Sequence, residues 1–114
     1  MRHVYLDDIR YPPEPWELVR TYRECLEALQ MGNVDYLSLD HDLGIHESSY
    51  YMQEHEFSAG QFWPYTGYDV CKWMVEHNIW PSVSITLHTA NPVGRINMRQ
   101  LINRYKPEGL LVFG

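Results

Sequence analysis

Three short apolar runs in this chain each stop at ionisable residues, and that repeated ending limits the possible folds more than any other feature. His3-Val4-Tyr5-Leu6 stops at Asp7-Asp8, Asp35-Tyr36-Leu37-Ser38-Leu39 at Asp40-His41-Asp42, and Val83 to Leu87 at His88-Thr89-Ala90-Asn91. Short runs rich in β-branched, aromatic and leucine residues read as buried strands. Leu110-Leu111-Val112-Phe113 reads as a last buried strand. Between them the period changes. From Gly67, the positions of Val70, Cys71, Trp73, Met74 and Ile79 suit an amphipathic helix capped by Thr66 and ending near His77-Asn78. Pro92 suits the first turn of another helix, with Ile96, Met98, Leu101, Ile102 and Tyr105 on its apolar face. Nearly continuous apolar strands alternating with helices imply a parallel sheet covered on both faces, the α/β class.

Two segments resist periodicity. Tyr11-Pro12-Pro13-Glu14-Pro15 cannot be regular helix, because each Pro lacks an N–H and restricts its predecessor. Beyond it, either one helix runs from Pro15 to Met31 with Gly32 as C-cap, or a strand from Trp16 to Arg20 precedes a helix capped by Thr21. In the second case Glu24 sits three residues on, as in a capping box. Residues 45–66 show no period and are dense in aromatic, His and Glu residues; they read as an insertion. Tyr50, Tyr51, Phe57, Phe62, Trp63 and Tyr65 could stack on a base, cover the sheet edge or form a homodimer contact.

At 114 residues, 1–114 is one domain. Its 45% apolar and 21% charged residues suit a globular chain rather than a disordered one. No apolar run approaches the roughly 20 residues of a membrane span, and acid at Asp7 interrupts any signal-peptide core, so a soluble cytoplasmic protein is expected. A net charge of -6 argues against duplex nucleic acid as a partner and leaves small phosphorylated ligands possible. Cys25 and Cys71 lack CxxC spacing and read as buried thiols.

In open parallel sheets, residues just past the strands converge at the carboxyl edge, where ligands bind. Asp7, Asp8, Asp40 and Asp42 crowded there repel one another unless a cation or proton intervenes. For any single Asp a turn or cap is the commoner role; for Asp7 and Asp8 with Asp40 the reading is a divalent ion, Mg²⁺ or Mn²⁺, which accepts oxygen ligands. His41 and His88 lie beside this edge as candidate general acids, with a carboxylate nearby to favour the imidazolium. His3, His55 and His77 read as structural, and His46 is left open. Arg95, in the first turn of its helix, and Arg10, past the acidic pair, are candidate phosphate clamps near His88 and Asn91.

With those residues placed, the chain resembles the cyclic-phosphate processing receiver domains. The matching motifs are Tyr5-Leu6-Asp7-Asp8-x-Arg10 with Pro12-Pro13, Ser38-Leu39-Asp40-His41-Asp42-Leu43-Gly44, Thr66-Gly67-Tyr68-Asp69-Val70 and His88-x-x-Asn91-Pro92-x-Gly94. The resemblance implies a flavodoxin-like, three-layer fold with five parallel strands in the order 2-1-3-4-5. Its first helix is replaced by the Pro-rich loop, which selects the strand-plus-helix reading of 16–31, and its last helix is absent. It also implies that Asp7, Asp8 and Asp40 hold Mg²⁺, that Asp40 can accept phosphate, and that Thr89 supplies the hydroxyl after the fourth strand. His41, Asp42, His88 and Asn91 add groups that simple receivers lack. The Lys that signalling receivers carry after the fifth strand is missing, which weighs against phosphorelay signalling.

The resulting expectation is a metal-dependent phosphoesterase that opens a cyclic phosphate on a nucleotide or an ADP-ribose-like molecule, in RNA repair or NAD-derived metabolism. Catalysis falls to Asp40, His41 and His88, and ligand binding to Arg10, Asp42, Thr89, Asn91 and Arg95. The competing expectations are a module that captures a nucleotide signal in defence or counter-defence, and an atypical phosphoacceptor receiver.

Overall fold

The computed structural model describes residues 1–43, 54–57 and 61–114, with 54–57 and 61–64 described as backbone alone. Strands β1 (Arg2–Leu6), β2 (Glu17–Val19), β3 (Val34–Leu39), β6 (Ser84–Leu87) and β7 (Leu111–Phe113) form one sheet in the order β2-β1-β3-β6-β7. Every pairing in it is parallel. Counted within this sheet, the order is the expected 2-1-3-4-5. Helices α1 (Tyr22–Met31), α2 (Gly67–His77) and α3 (Pro92–Tyr105) make the connections after β2, β3 and β6.

The segment 16–31 is a strand followed by a helix. Thr21 is the N-cap of α1, its hydroxyl accepting the Glu24 N–H at 3.0 Å, while the Glu24 carboxylate reaches back to the Arg20 N–H at 2.8 Å. Arg2 closes the other end of α1. Its Nη1 donates to the Ala28 and Gly32 carbonyls at 3.1 and 2.8 Å, while Nε and Nη2 hold Glu17 of β2. The helix has no basic residue in its own last turn, so this cation arrives from β1. Helix α2 starts in a full capping box between Thr66 and Asp69 and ends at Asn78 in the left-handed region (φ 52°).

Alternation along the strands divides the sheet. Val4, Leu6, Leu37, Leu39, Ile85 and Leu87 face one side, where they form a single core with Cys25 and Leu29 of α1, Val70, Cys71 and Met74 of α2, and Met98 and Ile102 of α3. All three helices contribute to that face. The opposite face carries rings: His3 stacks on Tyr36 at 4.5 Å, Tyr5 stacks on His88 at 4.3 Å, and Trp16 meets His3 and Tyr5 edge-on. Among the described residues no helix lies over it, so helices cover one face of the sheet and not both as the three-layer expectation has it; the Pro-rich loop stands where a first helix would be.

Three details differ from the periodic reading. The 45–66 insertion contains an antiparallel hairpin, β4 (Glu54–Phe57) and β5 (Gln61–Pro64); 44–53 and 58–60, with His46, Tyr50 and Tyr51, lie outside the described residues. Leu111 and Phe113 of β7 pair with Ser84 and Thr86, on the face opposite the core, and are half exposed although Leu110 is buried. On α3, the row Gly94, Met98 and Ile102 is buried whereas Ile96 and Tyr105 are about half exposed. Among the described residues no helix is long and apolar enough to cross a membrane.

Candidate functional site

The parallel ladder continues one residue beyond each central strand: Asp40 N–H donates to the Leu6 carbonyl and His88 N–H to the Leu39 carbonyl, both at 3.0 Å. Alternation therefore still applies there. Leu6, Leu39 and Leu87 point into the core, so Asp7, Asp40 and His88, each one residue on, point to the other face together. One donor atom from each lies within 4.8 Å of the others. Asp8, one step out of phase, is outside that set, although it lines the same cleft of about 440 Å³ with Asp7, Ile9, Arg10, Asp40, Asp42 and Ala90.

Asp7 is held from several sides. Its Oδ1 accepts the Ile9 and Arg10 N–H groups at 2.8 and 2.9 Å, and its Oδ2 accepts His88 Nε2 at 3.0 Å. Arg10 Nη1 stands 3.5 Å from that Oδ2 and donates to the His88 carbonyl. Burial alone raises the carboxyl, but the Arg10 and Ile9 N–H groups and the His88 bond outweigh it and set Asp7 below its ordinary value. Asp40 goes the other way. Burial, then the charge on Asp7, raise it, and the Thr89 hydroxyl and His41 N–H offset only part.

His88 is bonded at both nitrogens. An ionised Asp7 only accepts, so Nε2 carries a proton; in the neutral ring Nδ1 then accepts the Ser38 hydroxyl at 2.7 Å. Burial lowers the His88 pKa and outweighs the Asp7 bond and the Asp40 charge that raise it. The nearby carboxylate does not win, contrary to the expectation from sequence. Ser38 is buried on β3 in phase with Asp40; it was missed as a site residue, though a polar residue two before the aspartate in an apolar run was visible. Arg20 was missed as well: its Nη1 donates to the Asp7 and Arg10 carbonyls at 3.3 Å and its guanidinium lies over Tyr11, fixing the loop after β1.

His41 belongs to a neighbouring arrangement. Its N–H donates to Asp40 Oδ1 and its Nδ1 to Asp42 Oδ1, both at 2.8 Å, while Asn91 Nδ2 donates to the same Asp42 oxygen at 3.3 Å. The ring also lines a cleft of about 700 Å³ shared with Thr66, Tyr68 and α3. Two glycines admit it. A Cβ on Gly94 would sit 2.5 Å from His41 Cγ, and one on Gly67 would sit 2.0 Å from the Asp40 carbonyl oxygen. Asn91 caps α3 through the Gly94 N–H, and Thr89, buried, accepts the Asn91 N–H. Arg95 bonds the Thr89 carbonyl through Nη2 at 3.0 Å and is not among the residues lining the acidic cleft. His77 bonds the Trp73 carbonyl and stacks on that indole, and His3 stacks on Tyr36, both away from the acidic cleft.

Donors about 2.1 Å from a cation lie about 3 to 4.2 Å apart, and Asp7, Asp40 and His88 each offer one donor atom within 4.8 Å of the others, close to that range. Two carboxylates, one raised by the charge of the other, give such an ion a reason to bind. The donor set fits a divalent cation.

A family model described as the cyclic-phosphate processing receiver domain matches residues 2–104. The chain belongs to that family. Comparison with curated proteins and with solved structures gives no match. Within this receiver domain, the matched span contains every site residue described above.

Proposed function

We propose that this receiver domain is a metal-dependent phosphoesterase that opens a cyclic phosphate on a small nucleotide or ADP-ribose-like molecule. The observation that carries the reading is the convergence of Asp7, Asp40 and His88 at the carboxyl edge of the sheet, in a member of a family named for cyclic-phosphate processing. Asp7 and Asp40 hold the divalent ion, Mg²⁺ or Mn²⁺, and Asp8 lines the same cleft. When bound, the ion offsets charge on the phosphoryl oxygens. Arg10, half exposed at the lip of the cleft, meets the phosphate from solvent and adds a second positive charge. Of the two candidate clamps it is favoured over Arg95, because Arg10 lines the acidic cleft and Arg95 does not.

His41 is the proton donor. Asp42, itself steadied by Asn91, accepts from Nδ1, which leaves Nε2 to exchange a proton with the ligand. In the reaction a water oxygen bonds to phosphorus and releases a proton to solvent, one ring P–O ester bond breaks, and the departing oxygen takes the Nε2 proton of the His41 imidazolium, which solvent restores. In the ion-free site His88 holds Asp7 through Nε2. A cytoplasmic location is part of the reading and is supported by two buried free thiols. Turnover of a panel of nucleoside and ADP-ribose cyclic phosphates by wild type and by Asp40→Asn tests it. We expect a loss of more than about 100-fold in the variant. Full activity in Asp40→Asn overturns the assignment, and stoichiometric binding without turnover by either protein points to a capture module.

A further inference from the structure

The proposed cation site has a feature that an all-aspartate set lacks. The third donor is an imidazole, and alternation puts it there: His88 projects to the same face as Asp7 and Asp40, whereas Asp8 is out of phase. The three residues are nearly enclosed, with side-chain exposures of 1% for Asp7 and 15% for His88, and 8% exposure for Asp40 as a whole.

Metal-bound histidines nearly always donate their other ring N–H to an outer partner that fixes the ring. Ser38 occupies that place, its Oγ 2.7 Å from Nδ1 and only 4% exposed. A hydroxyl serves either tautomer. Without the ion, Nε2–H donates to Asp7 and Ser38 donates into Nδ1; with it, Nε2 gives its proton to solvent, Nδ1 takes one, and Nδ1–H donates to Ser38. Tyr5, stacked on the ring at 4.3 Å with an 8° interplanar angle, keeps the imidazole plane fixed during the exchange. A neutral imidazole is a good ligand for Mn²⁺, Co²⁺ or Zn²⁺, whereas Mg²⁺ is a hard ion that prefers oxygen.

We propose that His88 Nε2, rather than Asp8, completes the cation site with Asp7 and Asp40, that Ser38 is its positioning residue, and that the site takes Mn²⁺, Co²⁺ or Zn²⁺ in preference to Mg²⁺. This rests on the cation site of the proposed function and specifies its ligand set.

Mn²⁺ alone is the probe, on the full chain without any phosphate ligand. Electron spin-echo modulation of bound Mn²⁺ shows a directly coupled ¹⁴N, which becomes ¹⁵N when histidine is ¹⁵N-labelled; this needs no variant and so does not depend on one folding. In variants whose thermal melts show a folded protein, His88→Gln removes the nitrogen coupling and Asp8→Asn keeps it. Ser38→Ala weakens Mn²⁺ binding by about 10- to 100-fold. Mg²⁺ displaces bound Mn²⁺ only in more than about tenfold excess. Absence of Mn²⁺ binding, Mn²⁺ bound without nitrogen, coupling that survives His88→Gln, or displacement by equimolar Mg²⁺ overturns the inference. Ring opening by a site without nitrogen retires it and leaves the phosphoesterase standing; nitrogen-bound Mn²⁺ with no cyclic-phosphate turnover does the reverse.

Discussion

Replacing Gly94 with Ala sets two physical effects against each other. Alanine is the better helix former, by up to about 1 kcal/mol in a helix interior, and Gly94 lies in the first turn of α3. Against this, the new Cβ would stand 2.5, 2.6 and 2.9 Å from Cγ, Cδ2 and Nδ1 of His41. Ordinary carbon contacts begin near 3.5 Å, so the ring must retreat by about 1 Å. It has little freedom to do so: its backbone N–H is tied to Asp40, its carbonyl to the Gly67 N–H, and its Nδ1 to Asp42. Overpacking of this kind costs about 1–3 kcal/mol, leaving a net loss of up to about 2 kcal/mol. At this chain length that lowers the melting temperature by up to about 8 °C. The assay is a double-mutant cycle by thermal denaturation with His41→Ala. In the His41→Ala background the clash is gone, and Gly94→Ala should become neutral or raise the melting temperature. If Gly94→Ala stabilises the wild-type chain, the ring does not pack against that turn, and the placement of His41 is refuted.

Arg2→Ala removes the cation at the carbonyl end of α1 together with the Glu17 pair, and should cost about 1–2 kcal/mol in denaturant melts. The pair also sets a pH dependence. Arg2 holds Glu17 below its ordinary value, so the contribution is present above about pH 4.5 and fades as pH falls through the lowered folded value. Because the pair is exposed it is worth a few tenths of a kcal/mol, and the gap between wild type and Glu17→Gln should narrow on acidification below pH 4.5; a widening gap contradicts the assignment. Burial pushes Cys25 up to about 12 and raises Cys71 further, with the charge of Cys25 adding. Both thiols should resist Ellman's reagent in the native protein and react in denaturant.

Much of this arrangement was legible because strand ends are marked in the chain: Leu6, Leu39 and Leu87 each precede an ionisable residue, and parallel order makes those residues neighbours. The strand-plus-helix reading of 16–31 came from family resemblance, since Thr21 and Glu24 suit a cap but are also tolerated inside one long helix, and Glu17–Val19 is too short to read as a strand until its partner is known. What stayed hidden was phase. Counting residues past a strand does not say which of Asp7 and Asp8 turns to the shared face; alternation from Leu6 does, and it brings His88 in with Ser38 behind it. The exposed side of Leu111 and Phe113 was hidden for another reason: an apolar run does not show that one face of its sheet lacks a helix, and only the register that sets them beside Ser84 and Thr86 does.

The most direct measurement is phosphorus NMR of the protein with Mn²⁺ or Mg²⁺ and a set of nucleoside 2′,3′-cyclic phosphates and ADP-ribose 1″,2″-cyclic phosphate, beside Asp40→Asn. The account predicts that the resonance of at least one cyclic ester gives way to that of a phosphomonoester with wild type and metal, and persists with the variant or with chelator. Cyclic esters left intact by the metal-loaded wild type, or opened equally by Asp40→Asn, contradict it.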